Sequence, residues 1–177
     1  MSVVLDTFTS IGATPAGKRA FMSFKGGSGT VAVSSIGMLS LKLHVTDPMK
    51  PGGQAEVITY QDLTDDLVAS YLLQTNDSLP ALITLKCKGF RSGPSEVLQA
   101  LQNPQTAGGV DPSTFKSRLI ITMQTGDERY KEVNYGLKIG SGLKIGMEVV
   151  YEYGFSIAHS GEFRRVNANM CSAYCVL

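Results

Sequence analysis

Hydrophobic and polar residues alternate without a break from Leu39 to Thr46. Leu39, Leu41, Leu43 and Val45 fall on one face, and Ser40, Lys42, His44 and Thr46 on the other. A period of two over eight residues predicts a half-buried strand. Asp47-Pro-Met-Lys-Pro-Gly-Gly53 then ends it, because two prolines remove donors and the glycines allow positive φ. Beyond Glu56-Val-Ile-Thr-Tyr60 the spacing turns helical: Leu63, Leu67 and Tyr71 lie four apart, with Val68 and Leu72 beside them. Thr59 and Asp62 resemble a capping box, and Asp62, Asp65 and Asp66 suit a helix N-terminus. A strand, a loop and an amphipathic helix packed on the strand's sheet are therefore expected.

The same reading extends along the chain. Residues 1 to 35 are rich in Ser, Thr, Gly and Ala and hold no sustained period, so they are expected to form a flexible N-terminal arm. Within it, Lys18, Arg19 and Lys25 interleave with Phe21, Met22 and Phe24, and Lys25-Gly-Gly-Ser-Gly-Thr30 reads as a hinge. Ala81 to Gly89 alternates as a second strand, with Thr84, Lys86 and Lys88 on its polar face and Arg91 close behind. Pro94 opens a short helix whose stripe is Val97, Leu98 and Leu101, and Asn103 to Pro112 is a long loop. Phe115–Thr125, Lys131–Gly140 and Gly142–Tyr153 read as a meander. Gly-Leu-Lys-Ile-Gly occurs at 136–140 and again at 142–146, which suggests a hairpin around Ser141. A last strand is expected near Glu162–Val166. The fold class that follows is α+β: an antiparallel sheet packed by two or three helices, with arm 1–35 and one globular domain over 36–177.

Size and charge narrow the functions. A chain of 177 residues can bury a sufficient core without disulfides or metal. A net charge of +1 excludes a polyelectrolyte binder, so nucleic-acid or membrane binding would need local patches or multimerisation. Cys87 alternates with Lys86 and Lys88 and reads as a buried thiol, while Cys171 and Cys175 have no second pair to complete a zinc site. Three cysteines without a signal peptide fit a reducing compartment. No apolar run reaches the ~20 residues of a membrane-spanning helix.

Catalytic chemistry finds little footing. The histidines are His44, on a polar strand face, and His159, in a polar turn. Asp65 and Asp66 are adjacent and do not face one another on a helix. Gly140-Ser-Gly142 stands between strands, so it is no dinucleotide fingerprint. No enzyme activity, cofactor or metal is expected.

The order of elements resembles that of rhabdovirus matrix proteins. An arm leads to Leu-Ser-Leu-Lys-Leu-His-Val-Thr (39–46), then to the helix start Thr59-Tyr-Gln-Asp-Leu63. Leu82 to Ser92, the Val97 to Gln102 segment, a loop and the strand pair Tyr135 to Glu152 follow. The likeness covers residues 38 to 153. It implies a viral structural protein that self-associates, lines the inner face of the viral membrane, and condenses the nucleocapsid for assembly and budding. Implied partners are further copies of the chain, the nucleocapsid, an anionic membrane surface and a viral glycoprotein; the implied location is the virion beneath its envelope, the host cytoplasm and inner membrane surfaces. On this reading Lys18, Arg19, Phe21, Met22, Phe24 and Lys25, with Val97, Leu98 and Leu101, make self-association or membrane contacts. Lys86, Lys88 and Arg91 form a basic patch for nucleocapsid or lipid. The chain lacks the lysine-rich N-terminus and proline-rich late motif of the animal-virus members, and its short arm points toward a plant-infecting one. At about 1 kcal/mol per cation, Lys18, Arg19 and Lys25 hold a membrane only when many copies act together.

Two other readings compete. An RNA-binding accessory protein would use Lys86, Lys88 and Arg91 and show a steep salt dependence. A small-ligand-binding or enzymatic domain would need a deep pocket with polar groups inside it.

Overall fold

The structure, a computed structural model, describes residues 2–33, 37–44, 52–103, 105–145 and 148–156. Its framework is antiparallel β: β1 (Ser2–Thr14), β2 (Gly17–Val33), β3 (Gly37–Leu43), β4 (Gly53–Thr59), β5 (Asp65–Thr75), β6 (Leu82–Ser92), β7 (Lys116–Gln124), β8 (Leu137–Ile145) and β9 (Glu148–Ser156). The single α-helix among the described residues, α1 (Ser95–Gln102), lies between β6 and β7, and short 3-10 turns cover 107–109, 112–114 and 128–134.

The sheet closes on itself. Pairing runs β1–β9–β8–β7–β6–β5–β4–β2 and back to β1, which leaves no free edge in that circuit. The 17-residue β2 makes closure possible by changing partner along its length. Lys18–Ser23 pair with β4, and Ser28–Val33 pair with β3. β5 does the same, meeting β4 through Asp65–Tyr71 and β3 through Leu73–Thr75. β3 and β4 thus share one place in the wall.

The expected α+β sheet packed by helices is therefore corrected to a β-barrel. Residues 60–64 form a tight turn between β4 and β5, and 65–73 belong to β5, not to a helix. A period-two stripe contains every i,i+4 pair, so Leu67 and Tyr71 fit both patterns; the inward set is Asp65, Leu67, Ala69, Tyr71, Leu73 and Thr75. Asp62 accepts from Thr64 N–H at 3.0 Å, an Asx turn where a capping box was expected. The supposed flexible arm is β1 and β2, two walls of the barrel, and its glycine hinge is the bend at which β2 switches partner. A Cβ on Gly27 would stand 2.5 Å from the Ser2 carbonyl oxygen, so the residue is there for close strand approach. Both Gly-Leu-Lys-Ile-Gly copies belong largely to β8, which runs through Ser141 as far as Ile145, so no hairpin centres on Ser141. Strands at 39–43, 82–92 and 116–124 and the helix after Pro94 stand as expected. The strand expected at 162–166 lies outside the described residues.

Candidate functional site

Strand register stacks the inward side chains in layers. The outermost is a polar collar: Lys18, Thr59, Asp65, Arg91 and Ser117 are successive cross-strand neighbours on β2, β4, β5, β6 and β7. Below it lie Ala20, Val57, Leu67, Gly89, Leu119 and Gly140, and below those Met22, Ala55, Ala69, Cys87, Ile121 and Lys138. The floor is Phe24 against Tyr71, ring centroids 4.9 Å apart, with Leu85 and Met123 level with Tyr71. Layers rich in Ala and Gly cannot fill a barrel of this girth, whereas the aromatic floor can. The result is a chamber of about 430 Å³ between collar and floor.

The collar is held by one buried ion pair. Arg91 donates to Asp65 Oδ2 through Nε, at 2.9 Å, and through Nη2. Thr59 donates its hydroxyl to Oδ1 at 2.5 Å. The Asp65 side chain is 2% exposed and that of Arg91 14%, so the carboxylate depends on these partners for its charge to be tolerated. Arg91 Nη1 donates to none of the described residues, and the exposed Lys18 side chain has no hydrogen-bond or ion-pair partner among them. Both residues line the chamber.

A lid and a side opening complete the site. Leu98 and Leu101 of α1 bury against Phe115, with Leu63, Val97 and Val110 packed around them. Leu63 belongs to the turn next to Thr59 and Asp65, and Phe115 precedes Ser117, so this small cluster covers the collar end. Leu101 and Gln102 reach the chamber wall. Opposite them, β1 pairs with β9 only through Ser2–Val4; from Leu5 onward β1 pairs with β2 alone. That hairpin turns Phe8, 66% exposed, and Ser10 toward the same space.

The residues expected to make surface contacts scatter. Phe24 is floor, Met22 is chamber wall, and Leu98 and Leu101 are buried under the lid, so none of these four offers an exposed contact. Val97 is half-buried against the same cluster. Arg19 pairs with Glu56 on the outer face and lies 5.9 Å over the Phe21 ring. Lys25 is exposed. The expected basic patch divides: Lys86 and Lys88 are exposed on the outer wall, while Arg91 turns inward to Asp65. His44 bonds Gln74, Nδ1 to Oε1 at 2.9 Å. Cys87 is a buried thiol, and Cys171, Cys175 and His159 lie outside the described residues. Sequence reading missed the collar because its members come from four separated segments. A buried Asp at the start of one strand and an Arg at the end of the next was the available signal.

A third inward cation sits lower in the wall. Lys138 is fully buried, and its Nζ contacts the Val133 and Gly136 carbonyls, each at 3.4 Å. Burial lowers its pKa to about 8.

A closed antiparallel barrel with a lidded interior chamber places this chain among the small β-barrel proteins. It belongs to the family described as protein of unknown function (DUF3237), which matches residues 1–154. Similar solved structures include a conserved protein of unknown function from Rhodopseudomonas palustris (24% identity, TM-score 0.72, covering 87% of this chain and 91% of that one). Another is a protein of unknown function from Clostridium acetobutylicum (22%, 0.68, 86% and 89%). A β-barrel-like protein from Acinetobacter baumannii is similar too (25%, 0.66, 87% and 89%). No curated protein matches. These findings overturn the rhabdovirus resemblance and the viral setting drawn from it: the family matched is one of unknown function, the similar solved structures come from bacteria, one of them described as β-barrel-like, and the shared strings were short and local. Among the described residues no helix is long and apolar enough to cross a membrane.

Proposed function

We propose that this chain is a small-molecule-binding barrel that holds a compact, mainly apolar ligand between collar and floor. The observation that carries the reading is the chamber itself. About 430 Å³ falls within the range of small-ligand pockets, and its walls are mostly apolar with a few polar groups at one end. The collar favours binding over proton transfer, because both oxygens of Asp65 are already engaged by Thr59 and Arg91. The RNA-binding alternative draws less support, since Arg91 does not join Lys86 and Lys88 on the outer face.

The test is titration with a neutral naphthyl fluorophore, 1-naphthylacetamide, against the full chain and against Ala69→Phe, which places a ring in the chamber. Saturable binding at one site per chain, lost in Ala69→Phe while its circular dichroism is kept, supports the reading. Equal binding by both proteins, or none by the wild type, overturns it.

A further inference from the structure

The two spare donors at the collar identify the ligand's polar end. Resting on the chamber reading above, we propose that the barrel selects a monoanion: an apolar body in the chamber and a carboxylate or similar single negative charge at the collar, met by Lys18 Nζ and Arg91 Nη1.

Charge and partner count carry this. The collar holds two cations, Lys18 and Arg91, and one carboxylate, Asp65, so it has a surplus of one positive charge. Asp65 uses one Arg91 edge, through Nε and Nη2, and the remaining Nη1 has no partner among the described residues. The Lys18 side chain is likewise unpaired there, although a second carboxylate, Asp6 of the adjacent hairpin strand, also lines the chamber. Asp6 accepts instead from the Ser23 and Thr7 hydroxyls, at 3.4 and 3.2 Å, and Ser23 alternates with the inward Met22 and Phe24. Arg19 does not compete, because its charge is met by Glu56 outside the wall. A dianion would exceed the collar's surplus, Lys138 lying lower in the wall with its Nζ on the Val133 and Gly136 carbonyls. Lys18 is exposed and Arg91 largely buried, so a neutral ligand would leave the Arg91 Nη1 edge without an anionic partner. Phe8, exposed at the side opening, adds an aromatic surface on the path to the chamber.

A matched pair separates the charge from the body. 1-Naphthylacetate and 1-naphthylacetamide differ only in the ionised group, and each is titrated against the wild type, Lys18→Gln and Lys25→Gln. The acid is expected to bind the wild type about tenfold more tightly than the amide, as a charge-assisted hydrogen bond gives. That ratio should fall below about threefold in Lys18→Gln, stay in Lys25→Gln, and shrink with added salt. Equal affinity of acid and amide in the wild type, or an equal loss of preference in Lys25→Gln, overturns monoanion selection while leaving the chamber intact. If neither probe binds, the chamber reading fails and this inference with it.

Discussion

Asp65 and Arg91 are direct cross-strand partners on β5 and β6, and both point into the barrel. The first residue of one strand thus meets the tenth of the next, at the end where α1 departs. The pair closes the collar, orients Arg91 so that Nη1 stays available, and ties β5 to β6 beside the lid.

Removing one member of that pair strands the other in a largely dry site. Asp65→Leu is expected to cost about 3–5 kcal/mol, and Asp65→Leu with Arg91→Met to cost less than Asp65→Leu alone. Urea unfolding of the three proteins measures this. A double variant as unstable as the single one would mean that the pair's geometry, not its charge, supports the collar.

Phe24 separates chamber from lower core. It is 1% exposed and packs on Tyr71. Phe24→Ala should destabilise the barrel by about 3–5 kcal/mol. The same change joins the chamber to the space vacated, so a bulkier naphthyl ligand should gain affinity relative to the parent fluorophore. Thermal unfolding and titration read the two effects separately.

Gly89 marks where β6 and β7 approach too closely for a side chain. A Cβ there would lie 1.8 Å from the Arg118 carbonyl oxygen, which is backbone and cannot swing aside. Gly89→Ala is expected to destabilise by about 3 kcal/mol or more. Gly126→Ala, where nothing lies within 4 Å, should stay within about 0.5 kcal/mol. Melting temperatures of the two variants give the comparison.

Lys138 predicts a pH dependence. The unfolded chain keeps its proton up to the ordinary lysine value of 10.5, whereas the folded barrel releases it near 8. Between these values the unfolded state holds more protons, so the stability of the wild type rises with pH. Relative to Lys138→Met, the wild type should gain up to about 3 kcal/mol between pH 7 and pH 11. Parallel pH–stability curves for the two proteins would show that Lys138 keeps an ordinary affinity for its proton.

The strands of 39–43, 82–92 and 116–124 were legible because Leu39–Leu43 and Ile83–Lys88 alternate between apolar and polar residues and Leu119–Met123 is a short, mostly apolar run. β5 was not, since Leu67 and Tyr71 satisfy a helical spacing as well as a strand one. β1 and β2 were hidden for a different reason. Their inward positions include Ala20, and their glycines serve the bend and close approach of a wall, a composition shared with flexible linkers. The collar was invisible as a group, because Asp65 read as a helix-start charge and Arg91 as part of a basic patch.

By itself the sequence determined part of the local pattern: which of several strands have one buried face, that the chain breaks after the strand at 39–43, and that α1 carries an apolar stripe. Those depend on residue type and spacing over a few positions. Only the tertiary structure decided that the sheet closes. Closure depends on β2 and β5 each changing partner midway, through register between segments far apart in sequence. It also decided that small residues from different strands share two layers, which opens the chamber, and that Lys18, Thr59, Asp65 and Arg91 form one ring at its mouth. A chamber is space enclosed by many strands at once, and no stretch of the chain contains it.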